Sequence, residues 1–85
     1  YEKAEMYYLE ALEIHKASLG IDHPNHAMSL NNLGTLYSDM GDFQKAERYY
    51  LEALNIRKSV LGINHPDYAE SLRSLGSHYY DIGNY

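Results

Sequence analysis

The chain has 85 residues, no cysteine, no tryptophan, ten tyrosines and a formal net charge of −5. A disulfide scaffold is excluded, and no disulfide or zinc site offsets the small core of so short a chain. The seven Lys and Arg are scattered, which argues against the clustered basic surface that nucleic-acid phosphates require. No stretch approaches the roughly 20 apolar residues of a membrane span, and Tyr1-Glu2-Lys3-Ala4-Glu5 has neither the basic nor the apolar region of a signal peptide.

In chain order, Tyr1 to about Leu19 reads as a first helix. Ala4, Tyr8, Ala11 and Leu12 form one stripe, with Tyr7 and Ile14 a heptad apart on a neighbouring face. The small Ala4 and Ala11 admit a partner helix at close range, with Tyr8 filling the gap between them. Gly20 is expected to end this helix and Gly20 to His23 to form a loop. Pro24 fits the first turn of a second helix, 24–40, where its missing N–H costs nothing. This helix carries Leu30, Leu33 and Tyr37 on one face, with Gly34 among them at a cost of about 1 kcal/mol relative to Ala. Asp42 is expected to cap a third helix, 43–61, which Gly62 closes. On it Ala46, Tyr50 and Ala53 share a face. Pro66 opens a fourth helix, 66–82, in which Leu72, Leu75, Gly76 and Tyr79 repeat the seam of the second. The recurrence of Gly34 as Gly76 points to a neighbouring helix crossing at that point. Gly83-Asn84-Tyr85 reads as the start of a further turn and helix.

The chain is a copy of itself. A shift of 42 residues makes about 24 of the 43 aligned pairs identical, far above chance, which is the mark of a solenoid unit. Tyr-Tyr-Leu-Glu-Ala-Leu occurs at Tyr7–Leu12 and again at Tyr49–Leu54. Leu19-Gly20-Ile21 with His23-Pro24 returns as Leu61-Gly62-Ile63 with His65-Pro66. The complete copy runs from Ala27 to Ala53, as two amphipathic helices joined by a tight Gly41-Asp42 turn that should pack as an antiparallel hairpin.

Leu33-Gly34, Tyr37, Ala46, Tyr50 and Ala53, with Leu75, Gly76 and Tyr79 repeating the first three, have the spacing of the tetratricopeptide repeat. The usual period is 34 residues; the longer period here resembles the variant seen in kinesin light chains and related arrays. The resemblance implies an all-α solenoid of antiparallel hairpins, four helices in B-A-B-A order stacked in a right-handed superhelix, and residues 1–85 as one repeat segment of a longer array. It implies a cytoplasmic protein that binds an extended peptide or a helix of a partner in a groove lined by the A helices. Carried over by position, the groove residues are Met28, Asn31, Asn32, Thr35, Ser38 and Asp39, then Glu70, Arg73, Ser74, Ser77, Tyr80 and Asp81. The same set forms the polar side of each A helix, opposite its Leu-Leu-Tyr seam. Asn32, just before Leu-Gly, resembles the asparagine with which family members hold a ligand's backbone, since a carboxamide pairs with any peptide unit; its aligned residue is Ser74. The family's carboxylate clamp needs A-helix cations, and Arg73 stands alone. With Asp39, Glu70 and Asp81 near the groove, a basic or neutral peptide suits it better.

Other chemistries find little support. There is no Ser-His-Asp arrangement on a plausible scaffold, no glycine-rich phosphate loop and no pinned carboxylate pair, so neither an enzyme nor a cofactor is expected. His23 and His26 are three apart, but no third ligand lies near, and the return of His23 as His65 points to a loop-and-cap role rather than a metal. His15, aligned with Arg57, reads as surface, and His78, aligned with Leu36, has no assignable role. Tyr7-Tyr8 and Tyr49-Tyr50 are better explained by core packing than by base stacking. The first helix has no A partner and the fourth no B partner, so end-to-end stacking or helix exchange between copies is the alternative to peptide binding.

Overall fold

Two prolines and two histidines start the A helices. In the computed structural model, which describes residues 2–18 and 23–83, Pro24 and Pro66 stand in the first turns of α2 (Pro24–Asp39) and α4 (Pro66–Asp81). Ahead of each, a histidine is the N-cap. His23 Nδ1 accepts from the Asn25 amide at 3.1 Å, and His65 Nδ1 accepts from the Asp67 amide at 3.0 Å. An imidazole here does what Ser or Asp usually does, satisfying an amide that the helix leaves unpaired. The B helices are α1 (Glu2–Ser18) and α3 (Phe43–Leu61). Asp42 caps α3 by accepting from the Lys45 amide at 3.3 Å, and Gly62, at φ +89°, ends it. Gly41, at φ +84°, makes the turn between α2 and α3 possible. The predicted stop at Gly20, its loop through Asp22, and Asn84-Tyr85 lie outside the described residues.

Successive helices run antiparallel, as the pairs of touching residues show. The start of α3 meets the end of α2, where the Tyr49 ring stacks on Tyr37 with centroids 5.5 Å apart. The end of α3 meets the start of α2, where Ala53 packs with Ala27 and Leu30. Parallel A helices therefore alternate with parallel B helices. No strand occurs among the described residues.

The core belongs to α2. Leu33, Leu36 and Tyr37 form one buried cluster with Ala46, Tyr50 and Leu75, while Ala27, Leu30 and Ala53 form another. Alanine recurs where two helix backbones come closest, so little side-chain volume separates them. Gly34 is the tightest point: a methyl group there would lie 2.7 Å from the Tyr50 ring. The Tyr50 hydroxyl then donates to Thr35 Oγ1 at 3.0 Å, anchoring the ring across the helix.

Polar hooks repeat with the sequence. Tyr37 donates to Glu5 of α1 at 2.6 Å, and Tyr79 hydrogen-bonds Glu47 of α3, one period on. His15 shares a 3.0 Å hydrogen bond with Ser29, and in the next copy Arg57 donates to Ser71 at 3.0 Å. Each B helix is thus tied at both ends to the A helix that follows it. His15, expected on the surface, is half-buried because Ser29 lies opposite it. Arg57 is 4% exposed and also reaches the Asp67 carbonyl and Glu70 Oε1, so its charge enters the core with partners for one of its nitrogens.

The outer helices differ from their copies. Tyr8 is 37% exposed whereas Tyr50 is 6% exposed, and Leu72 is 49% exposed whereas Leu30 is 1% exposed. Among the described residues, the helix crossing expected at both glycines is present at Gly34 alone; no neighbouring helix lies within 4 Å of a methyl group built on Gly76. Tyr7, placed by pattern in a tyrosine pair, is exposed, while its copy Tyr49 is partly buried against both core clusters.

Candidate functional site

The seam fixes one side of each A helix, and a helical period of 3.6 residues turns a different set of side chains outward. Between α2 and α4 this set lines a groove of about 350 Å³. Thr35, Ser38 and Asp39 come from α2, and Glu70, Arg73, Ser74, Ser77 and Asp81 from α4, with Tyr50 and His78 completing the lining. Most of the side chains expected to face a groove are thus brought together.

Four of the twelve lie elsewhere. Asn31 is 7% exposed and buried between the helices, where its amide donates to Ser74 Oγ at 3.4 Å. Asn32 is on the other flank of α2, in a smaller recess of about 170 Å³ shared with Ala4 and Tyr8 of α1. Tyr80 and Met28 are exposed without lining the groove. The reason is angular: Asn31 and Asn32 differ by about 100° around the helix, so one turns inward while the other passes to the α1 side. Thr35 and Asp39 line both recesses, which makes the path across α2 continuous.

The groove is negative toward one end. Asp39 and Asp81, one period apart, close α2 and α4 at their C-termini, where the helix dipoles add partial negative charge. Burial pushes the Tyr50 phenol above its ordinary range; the hydrogen bond to Thr35 works against this, and the Asp39 and Asp81 carboxylates push it further up. Glu70 is held by Arg57 at 3.3 Å. Arg73 makes no hydrogen bond or ion pair among the described residues.

Pattern reading missed His78. It is 2% exposed, lies among Phe43, Tyr50 and Tyr79 with ring centroids 5.5–6.1 Å away, and forms part of the groove lining. The only hint was its alignment with the buried Leu36, a polar ring at an apolar register. The opposite, B-helix side carries a second crevice of about 370 Å³, lined by Leu12, Leu30, Tyr49 and Ile56 with Glu13, Lys16, His26, Glu52 and Asn55 at its edges. Among the described residues no group of three or more His, Asp or Glu side chains is placed to hold a metal ion, and no helix is long and apolar enough to cross a membrane.

Comparison with known proteins agrees with this architecture. A family model described as tetratricopeptide repeat matches residues 1–59 and again residues 37–85. The fold is similar to the crystal structure of BtubC (BKLC) from P. vanneervenii, a kinesin light chain-like repeat protein, with a TM-score of 0.89 and 30% identity over 95% of this chain. The chain spans 32% of the length of that structure. No curated protein matches the chain. Tetratricopeptide repeats act as non-enzymatic scaffolds that mediate protein–protein interaction. The internal copy, the Leu-Gly-Tyr and Ala-Tyr-Ala seam and the family match all extend over the same residues, and the chain belongs to the tetratricopeptide repeat family.

Proposed function

We propose that this chain binds an extended peptide or a helix of a partner protein in the groove between α2 and α4. The observation that carries the reading is that the groove's polar side chains are spare. The side chains of Ser38, Asp39, Arg73, Ser77 and Asp81 make no hydrogen bond or ion pair among the described residues, although they converge on one concavity. Hydroxyls and carboxylates accept from a ligand's amides, and Arg73 and the hydroxyls donate to its carbonyls, so a peptide backbone finds both kinds of partner. A ligand that crosses α2 through the shared Thr35 and Asp39 meets Asn32 in the recess beside α1.

The test is an amide-shift titration of the labelled chain with peptides selected from a random extended library. Signals of Thr35, Ser38 and Ser77 should move, and Ser77→Tyr, at an exposed position, should block binding while helicity stays constant. Movement confined to α1 and the outer face of α3 would place the ligand in the B-side crevice and sink this reading.

A second reading is favoured by the open space at Gly76 and the exposed Leu72. α1 carries the Ala4, Tyr8, Ala11 set that α3 uses on α2, so α1 of one copy fits α4 of another as Tyr50 fits Gly34. Sedimentation equilibrium tests it: mass rising with concentration supports end-to-end stacking, and a monomer throughout removes it.

A further inference from the structure

Resting on the peptide reading above, we propose that the end of this groove at the C-termini of α2 and α4 seats one cationic side chain of the bound peptide, lysine or arginine, between Asp39 and Asp81. Both carboxylates are exposed, and neither accepts a hydrogen bond or pairs with a cation among the described residues. They end two parallel helices, so two partial negative dipole ends converge with two full charges. The groove's own cation does not neutralise them. Arg73 lies eight residues before Asp81, about 12 Å back along α4.

The floor supplies an independent observation. His78 lines the same groove, is 2% exposed, and has no hydrogen-bond partner on either ring nitrogen. A neutral imidazole keeps an acceptor nitrogen in either tautomer, and a buried polar atom without a partner is unfavourable. A guanidinium or ammonium group seated between the carboxylates brings several N–H donors above this ring. Both ring nitrogens are closed to water, so the ring accepts from a seated cation only by turning about its Cβ–Cγ bond, and the seat requires that turn. An anionic side chain would meet two like charges and leave the acceptor nitrogen unpaired. The groove is therefore polarised along its length, with a cation seat at the Asp end and Arg73 free at the other for a carbonyl or carboxylate of the same ligand.

The experiment titrates the labelled chain with three blocked Ala-Ser-Gly peptides that differ only in a central Arg, Gln or Glu. At low salt the Arg peptide should bind about tenfold tighter than the Gln peptide, as charge-assisted hydrogen bonds require. It should move the Ser77 and Asp81 amides and the His78 ring nitrogen signals, and the Glu peptide should bind most weakly. Asp39→Asn with Asp81→Asn should bring the Arg and Gln peptides to equal affinity within that variant, whatever change is common to both; Asp81→Asn alone, checked by unchanged helicity, should erase part of the Arg advantage. Equal affinities for Arg and Gln with groove shifts intact would overturn the cation seat and leave the peptide groove standing. An Arg advantage that survives the double variant would overturn it too. No groove shift with any of the three peptides would remove both readings.

Discussion

Gly34 and Gly76 hold the same place in two copies of one helix, yet they meet opposite surroundings. Over Gly34 lies the Tyr50 ring, so near that a methyl group would fall 2.7 Å from it; a methyl group on Gly76 would meet no neighbouring helix within 4 Å among the described residues. The contrast extends along both helices, from Leu30 and Leu72 to Ala27 and Ala69, buried in α2 and exposed in α4. Identical residues thus have different energetic roles. The repeat encodes a complementary surface, and only a neighbour makes that surface a core. Substitutions at matched positions of the two copies, and a change of pH, test the contrast.

The tyrosines come first. Tyr50→Ala removes the ring over Gly34 and the hydrogen bond to Thr35, and urea denaturation should show a loss of about 3–5 kcal/mol. Tyr8→Ala, its copy at 37% exposure, should cost less than about 1 kcal/mol. Equal losses would mean that α1 is covered in solution.

The polar hooks should differ less. Arg57→Ala strips the donor shared by Ser71, Glu70 and the Asp67 carbonyl from a residue 4% exposed. Because Glu70 stays half exposed to water, the loss should be about 2–3 kcal/mol rather than that of a fully buried pair. His15→Ala, which gives up one hydrogen bond to Ser29, should lose about 1 kcal/mol by the same denaturation measurement.

The glycines should change sign. Gly34→Ala forces the Tyr50 ring aside and should destabilise by about 1–3 kcal/mol, since overpacking outweighs the better helix propensity. At Gly76→Ala propensity acts alone, and thermal unfolding should show a gain of about 1 kcal/mol. A loss at Gly76 would reveal a helix from another copy seated on α4.

The smallest effect is one of pH. Burial first, and then the hydrogen bond to Glu5, pushes the Tyr37 hydroxyl well above the ordinary tyrosine range. For Tyr79 the bond to Glu47 comes first and burial second, and Tyr50 is raised chiefly by burial. The folded chain holds these protons more tightly than the unfolded one. Stability from them is therefore fully present below the unfolded value near pH 10 and is lost as the pH rises toward the folded values. Tyr37→Phe should flatten this alkaline fall in a melting-temperature series, at a cost of about 1 kcal/mol at neutral pH. An alkaline limb unchanged by Tyr37→Phe would show that the Glu5 hook contributes nothing.

Much of the fold was legible in advance because its signals are local or periodic. Gly41 and Gly62 sit where φ is positive, Asp42 caps, and Pro24 and Pro66 open helices. The seam of Leu33, Tyr37, Ala46, Tyr50 and Ala53 is buried as its spacing implies. The groove was legible by side of the helix but not by residue. Asn31 passes inward to Ser74 and Asn32 to the α1 flank because one residue of helical rotation separates them. The hooks left a trace that pattern reading overlooked: Glu5 and Glu47, Tyr37 and Tyr79, Ser29 and Ser71 are all identical across the period.

The family, the helices, their caps and the two seams follow from residue order, because backbone preference and apolar spacing are properties of neighbours along the chain. Tertiary structure alone decided which copy of each seam is core, that Arg57 and His78 are buried, and that Asp39 and Asp81 share one groove. The physical reason is that burial and electrostatic environment are set by whatever lies across the interface. Two copies of the same residue, 42 positions apart, can have different neighbours there.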